Sequence, residues 1–329
     1  MITTIDCKGI AGVVPRAMVA VTAIFCLAIA SPAQAITYEF NVLDAAGQGF
    51  NDPVLGPQRL AAVQFAGQYW GNLLPNTFAG ETLHVNVSFT APSGTRADSQ
   101  NIELFSNYSG LLPNVWYGPA LANHLVGTDL DPSFPEMAFR YNAALPWYSG
   151  TVGNPSATQL DLVTVTLNLM GHGLGFNTRL FRGDGTFFVA PGLAQYPGPY
   201  DLFLTTDSTG GTALTGMSDA DRAAAIASDN LYWMGPNAVA ANGGVRPKLF
   251  APNPFQNGAS VANLDPTVFP NALLRGGGNH AGEVNRPGPV ELGMLQDIGW
   301  TVVPEPKSFV MLCIGILLLS FHRGISSSS

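Results

Sequence analysis

Residues 162–176 decide the fold, and they read LVTVTLNLMGHGLGF. The first half is rich in β-branched residues, which favour a strand. The helical alternative places Leu162, Leu169 and His172 on one face, and Gly175 then supplies a C-terminal stop. The local pattern therefore leaves both conformations open, and the rest of the chain has to decide between them.

Strands and helices are predicted on both sides of this stretch. Alternating apolar and polar residues predict strands, and apolar residues at helical spacing predict helices. The predicted strands cover residues 36–43, 81–89 and 136–142, and the predicted helices cover residues 56–74, 120–125, 218–227 and 290–300. His84 lies on the polar side of its strand and His124 has no ligand partner nearby in sequence, so both are interpreted as structural. Residues 253–285 are predicted to be irregular.

Residues 1–35 have the organisation of a secretory signal. A basic start containing Lys8 and Arg16 precedes an apolar stretch over residues 17–30. Residues 31–35 read SPAQA, which has the small-x-small pattern that signal peptidase cuts. The alternative is a buried N-terminal helix. We predict an exported protein whose mature chain begins at Ile36.

Residues 304–329 carry a second sorting pattern. They begin with PEP, continue with an apolar stretch over residues 309–321, and then place His322 and Arg323. The apolar stretch is shorter than the about 20 residues of a stable membrane span. The arrangement closely resembles the PEP-CTERM sorting signal of Gram-negative bacteria. The resemblance implies a transient transmembrane helix, an exosortase-type processing enzyme and delivery to the cell surface or extracellular matrix. The alternative is a plain C-terminal anchor.

Cysteine and charge usage in the body, residues 36–303, exclude several functions. Cys7, Cys26 and Cys313 all lie in the predicted sorting segments, so the body has no disulfide, thiolate metal site or cysteine nucleophile. The body holds 10 basic and 20 acidic residues, for a net charge of −10. Such a charge argues against nucleic acid as a partner.

The decisive stretch also has the frame of a zinc-peptidase motif. Zinc peptidases need two imidazoles one helical turn apart, and a glutamate beside the first imidazole polarises the metal-bound water. Residues 168–176 resemble the HExxHxLGF motif of leishmanolysin-like zinc metallopeptidases, including PEP-CTERM-sorted ones. His172 matches the second zinc histidine, whereas Asn168 stands at the first and Leu169 at the catalytic glutamate.

The resemblance extends over the body and favours a helix at residues 162–175. Further similar segments are residues 161–165, 219–230, 235–239 and 295–300. Where the family has its third zinc histidine, residues 258–263 read GASVAN and end at Asn263. The turn that carries the family's methionine beneath the metal reads NALL over residues 271–274. The implied fold is α+β and metzincin-like, with an N-terminal sheet and helices and a loop-rich C-terminal half.

These substitutions predict a pseudopeptidase. A neutral carboxamide is a weak donor that does not replace imidazole in a tight tetrahedral site, and leucine accepts no proton. His172 is the only retained metal ligand, so no cofactor is expected. The leading hypothesis is a non-catalytic, surface- or matrix-associated protein whose former cleft binds an envelope, polysaccharide or protein ligand.

Two alternatives stay open at the level of sequence. An active zinc-dependent peptidase would need substitute ligands, for which His280 and Glu283 on a glycine-rich loop are the candidates. A purely structural matrix protein would have no ligand at all. A filled apolar cleft around Leu169 favours the structural protein, and an open polar cleft favours binding.

Overall fold

The computed structural model describes residues 34–92, 94–100, 103–278 and 280–303. Residues 1–33 of the predicted signal (residues 1–35) and the predicted sorting segment at residues 304–329 lie outside these ranges. The described residues have mixed α and β structure, as expected. Their α-helices are α1 (Gly56–Leu73), α2 (Pro119–Val126), α3 (Leu162–Gly173), α4 (Asp219–Ala225), α5 (Pro236–Ala241) and α6 (Pro289–Ile298). Their strands are β1 (Thr37–Val42), β2 (Thr82–Ser88), β3 (Ala97–Gln100), β4 (Met137–Tyr141), β5 (Trp147–Tyr148), β6 (Leu160–Asp161), β7 (Leu204–Thr205), β8 (Leu231–Trp233) and β9 (Lys248–Leu249).

A four-stranded sheet forms the N-terminal half, in the order β1-β2-β4-β3. The first three strands are parallel, and β3 runs antiparallel along the edge. One face of the sheet is apolar, because the alternation in β2 buries Leu83, Val85 and Val87. The opposite face carries polar pairs such as Glu39 beside His84. Helices α1 and α3 therefore pack against a single face of this sheet.

Helix α3 lies at the centre of the core. The Trp70 indole of α1 donates to the Leu167 carbonyl (3.1 Å), and the Tyr141 hydroxyl of β4 contacts the Thr166 hydroxyl (2.9 Å). After α6, the Trp300 indole donates to the Leu174 carbonyl (2.7 Å). Tryptophan and tyrosine groups from three elements thus fix the position of α3, and with it every residue of the predicted motif.

The β-branched half of α3 is helical because the helix is buried almost all round. Nine of its twelve residues are buried, so tertiary packing outweighs local propensity. Asp161 caps the N-terminus through the Thr164 amide (3.1 Å) and hydroxyl (2.6 Å). Gly175 ends the helix with a φ of +112°, a conformation that favours glycine. The predicted helix and its glycine stop are confirmed.

The C-terminal half holds a small sheet and long loops. Strands β7, β8 and β9 form an antiparallel sheet that the sequence analysis did not predict, since each has only two or three residues. The described residues of the 253–285 segment contain no helix and are irregular, as expected. Asp297 of α6 accepts the Trp233 indole (2.8 Å) and the Asn237 and Ala238 amides (2.8 and 3.2 Å). This carboxylate joins α6 to β8 and to the N-terminus of α5.

The predicted elements are confirmed with boundaries that shift by up to two residues. The helix expected over residues 218–227 covers Asp219–Ala225, and Ser218 caps it as its spacing from Asp221 predicts. The strand expected over residues 136–142 covers Met137–Tyr141. Within residues 34–303, apart from the short gaps given above, no helix is long and apolar enough to cross a membrane.

Candidate functional site

Helix α3 presents positions 168 and 172 one turn apart, as a pair of zinc ligands would require. At the first position the Asn168 side-chain amide donates to the Leu273 carbonyl (2.9 Å). The amide is therefore used to bind the loop that passes beside α3. A carboxamide engaged in this way does not fit the role of an imidazole ligand in a tight zinc site.

The general-base position is occupied by part of the core. Leu169 is 6% exposed and belongs to the main hydrophobic cluster. An apolar side chain can neither accept a proton nor polarise a water molecule. Proton transfer of the kind that a zinc peptidase needs therefore has no acceptor at this position.

The His172 ring is oriented by a hydrogen bond to the backbone just after α3. Its Nδ1 lies 2.7 Å from the Phe176 carbonyl oxygen. Because a carbonyl only accepts, Nδ1 carries the proton and Nε2 of the neutral ring keeps its lone pair. Burial lowers the pKa of His172, with the Phe176 hydrogen bond opposing it, so the neutral form is favoured. His172 offers an acceptor to anything that enters beside it.

Asn263 stands at the position of the third zinc histidine of the resembled family, and its side chain likewise forms a hydrogen bond to a backbone carbonyl. Its side-chain amide donates to the Ala259 carbonyl (2.9 Å), and the residue is 5% exposed. The preceding loop is fixed where the Tyr200 hydroxyl donates to the Val261 carbonyl (2.9 Å). The amide closes a turn within residues 259–263, so this residue also does not fit a zinc ligand.

The turn expected beneath the metal does pass beside α3. The Leu273 carbonyl receives the Asn168 amide, and Leu274 packs so close to Gly171 that a Cβ there would lie 2.8 Å from Leu274 Cδ1. On its other side, the Leu274 amide donates to the Glu291 carboxylate (2.6 Å). Residues 271–274 thus connect α3 to α6 through apolar and backbone contacts.

The predicted substitute ligands are engaged with an arginine. Arg275 Nη2 lies 2.5 Å from Glu283 Oε2 and 3.0 Å from His280 Nδ1, and the His280 amide also donates to Glu283 (2.7 Å). A guanidinium between these groups competes with a metal cation for them. Among the residues that the structure describes, no group of three or more His, Cys, Asp or Glu side chains is placed to hold a metal ion.

The other two histidines have the environments expected of structural residues. His84 lies on the exposed side of β2, with its ring nitrogens 3.4 Å from Glu39 and 3.5 Å from Glu136. His124 is 2% exposed, pairs with Glu81 (2.8 Å) and stacks on Trp300 with a ring-centroid distance of 4.2 Å. The buried Glu81–His124 pair was not predicted, because 43 residues separate its members.

A small cavity of about 30 Å³ opens beside His172. At roughly 10–15 Å³ per water molecule, it accommodates about two waters. Its polar lining includes Ser99 of β3 and two residues just after α3, Asn177 and Arg179. Trp116 and Pro199 form part of the apolar wall of the cavity. The C-terminal end of α3 therefore borders a polar opening.

Sequence analysis missed Asn177 and Arg179 as site residues. Their signal was present, since they are polar residues at alternate positions in a stretch where Phe176 and Leu180 are fully buried. An arginine in such a stretch needs a reason for its burial. The zinc-peptidase motif ends at Phe176 and so includes neither Asn177 nor Arg179.

Comparisons with known proteins return no match: no family model, curated protein or solved structure is similar to this chain at the level required. The resemblance to leishmanolysin-like metallopeptidases therefore stands on the residues quoted above. It remains a prediction.

Proposed function

We propose that this chain is an exported, surface- or matrix-associated pseudopeptidase that binds a ligand in its former cleft without catalysis. The observation that carries the proposal is the pairing of Asn168 with the Leu273 carbonyl on the helix that still presents His172. Asn168 stands where the resembled family has a zinc ligand, and here its side chain binds the loop that contains Leu273. Export and surface retention rest on the two terminal sorting patterns.

The character of the cleft favours binding over a purely structural role. Leu169 is buried in the core, which by itself favours a structural role. The cavity lies beside His172 instead, and its lining includes the polar residues Asn177 and Arg179. A few convergent polar groups fix the orientation of a ligand in a site, and a cavity of about 30 Å³ holds one small polar group of a ligand. A protein that needed only a packed scaffold would gain stability by filling this space.

Proteolysis assays on the purified chain test the absence of catalysis. We expect casein cleavage at the rate of the buffer alone, and no change on adding zinc or a chelator, because the motif has neither a second imidazole nor a base. His172→Ala is expected to behave in the same way. Cleavage that a chelator abolishes and that His172→Ala also loses would contradict the proposal.

A further inference from the structure

Arg179 is a buried cation with no direct partner. The residue is 6% exposed, and its guanidinium makes no hydrogen bond or ion pair within the described part of the chain. Burial lowers the pKa of Arg179, and the charge of Asp201 opposes this only partly. Burying an unpaired charge is costly, so arginines in such places are normally paired.

Asp201 makes no ion pair with this guanidinium, and its oxygens accept three other hydrogen bonds. The donors are the Thr178 hydroxyl (2.5 Å) and the Arg179 and Gly198 amides (3.0 and 2.8 Å). Asp201 thus fixes the backbone at Arg179 by accepting its amide N–H. Arg179 is one of the residues that line the cavity beside His172.

We propose that this cavity binds the carboxylate group of a ligand, which the Arg179 guanidinium recognises as an ion pair. The planar guanidinium matches a carboxylate in a two-bond geometry, and the cavity has about the volume of one such group. Asn177 and Ser99 also line the cavity, and their side chains are neutral donors. Glu136 lines it too, and its two oxygens accept hydrogen bonds from the His84 amide (2.6 Å) and the Asn123 side-chain amide (3.0 Å).

His172 adds a second requirement to the ligand. Its neutral Nε2 is an acceptor, so it is matched by a hydroxyl or N–H group near the carboxylate. A hydroxy acid, a sugar acid and the C-terminus of a peptide all have such a pair of groups. The inference rests on the proposed function, since it names the class of ligand that the non-catalytic cleft takes.

Calorimetric titration of the purified chain tests the inference with matched probes. N-acetylglycine represents a peptide C-terminus and glucuronate a sugar acid, and N-acetylglycinamide and glucose are their neutral counterparts. We expect at least one carboxylate to bind about tenfold more tightly than its neutral counterpart, as a charged hydrogen bond predicts. Which carboxylate binds identifies the source of the group.

Arg179→Met is expected to abolish that preference while leaving the unliganded melting temperature equal or higher, because it removes an unpaired buried charge. Arg182→Met is the control, since Arg182 stacks on Phe188 and does not line the cavity. If Arg179→Met does not fold, Arg179→Lys replaces it, with an expected loss of about threefold or more in carboxylate affinity.

Three results would overturn the inference: no preference for either carboxylate, an unchanged preference in Arg179→Met, or an unchanged affinity in Arg179→Lys. The proteolysis assay distinguishes a failure of the carboxylate-binding inference from a failure of the proposed pseudopeptidase function. Absence of both carboxylate binding and cleavage rejects the ligand class alone, whereas zinc-dependent cleavage rejects the pseudopeptidase itself.

Discussion

At the scale of single residues, asparagine side chains occupy two positions where the resembled family has zinc-binding histidines. The Asn168 side-chain amide donates to the Leu273 carbonyl, and the Asn263 side-chain amide donates to the Ala259 carbonyl. Each amide thereby gains a structural role. His172 is the residue that matches the resembled motif, and its hydrogen bond to the Phe176 carbonyl does not depend on a metal.

Glu291 leads to a prediction about pH. Its carboxylate is 1% exposed and accepts the Leu274 and Gly288 amides (2.6 and 2.5 Å). Burial raises the pKa of Glu291 to about 7, against the opposing effect of these hydrogen bonds. A raised pKa means that the folded state binds the proton more tightly, so the stabilisation is complete below the unfolded pKa and is lost as pH rises through 7.

The measurement is the free energy of unfolding by urea between pH 4 and pH 8, in the wild type and in Glu291→Gln. Over this range the wild type should lose about 3 kcal/mol more than the variant, because the variant has no proton to release. Parallel pH profiles for the two proteins would show that Glu291 does not titrate in this way.

At the scale of elements, the helical state of α3 depends on its N-cap. Asp161 is 1% exposed and accepts both the amide and the hydroxyl of Thr164. Asp161→Ala should lower the free energy of unfolding by about 1–2 kcal/mol, since it leaves buried donors without an acceptor. Asp161→Asn is the matched control and should cost less, because asparagine also caps helices. Equal losses in the two variants would refute the capping role.

The contact between α5 and α6 gives a second prediction for an element. A Cβ at Gly293 would lie 2.7 Å from the Ala238 Cα and 2.8 Å from its nitrogen, and neither backbone atom can move aside. Gly293→Ala should therefore destabilise the protein by about 1–3 kcal/mol, although alanine is the better helix former by about 1 kcal/mol.

Gly171→Ala is the comparison for that prediction. The added Cβ would meet the tip of the Leu274 side chain at 2.8 Å, and this tip can rotate. Urea denaturation should show the smaller loss for Gly171→Ala. The reverse order would mean that the approach of the two helices is not limited by Gly293.

At the scale of the whole molecule, the sequence predicted the long elements and missed the contacts between distant residues. Periodicity located α1, β2 and α6 because each has a single buried face. The helical state of α3 was not decided by periodicity, since burial on all sides removes the amphipathic signal. Strands β7 to β9 are too short to have a pattern.

The candidate site shows the same limit. The motif identified Asn168, Leu169 and His172, because local spacing on one helix determines their relation. It did not identify Arg179, which is buried next to Asp201 and lines the cavity beside His172. It also did not show that Arg275 engages both His280 and Glu283. Such relations follow from tertiary contacts between loops.

The zinc content of the purified chain, measured by mass spectrometry after dialysis against trace zinc, tests the central claim most directly. We expect less than about one tenth of a zinc ion per wild-type chain, because one imidazole and two engaged amides do not make a tight site. The variant with Asn168→His, Leu169→Glu and Asn263→His together should hold about one zinc ion per chain. One zinc ion per wild-type chain, lost in His172→Ala, would contradict the account.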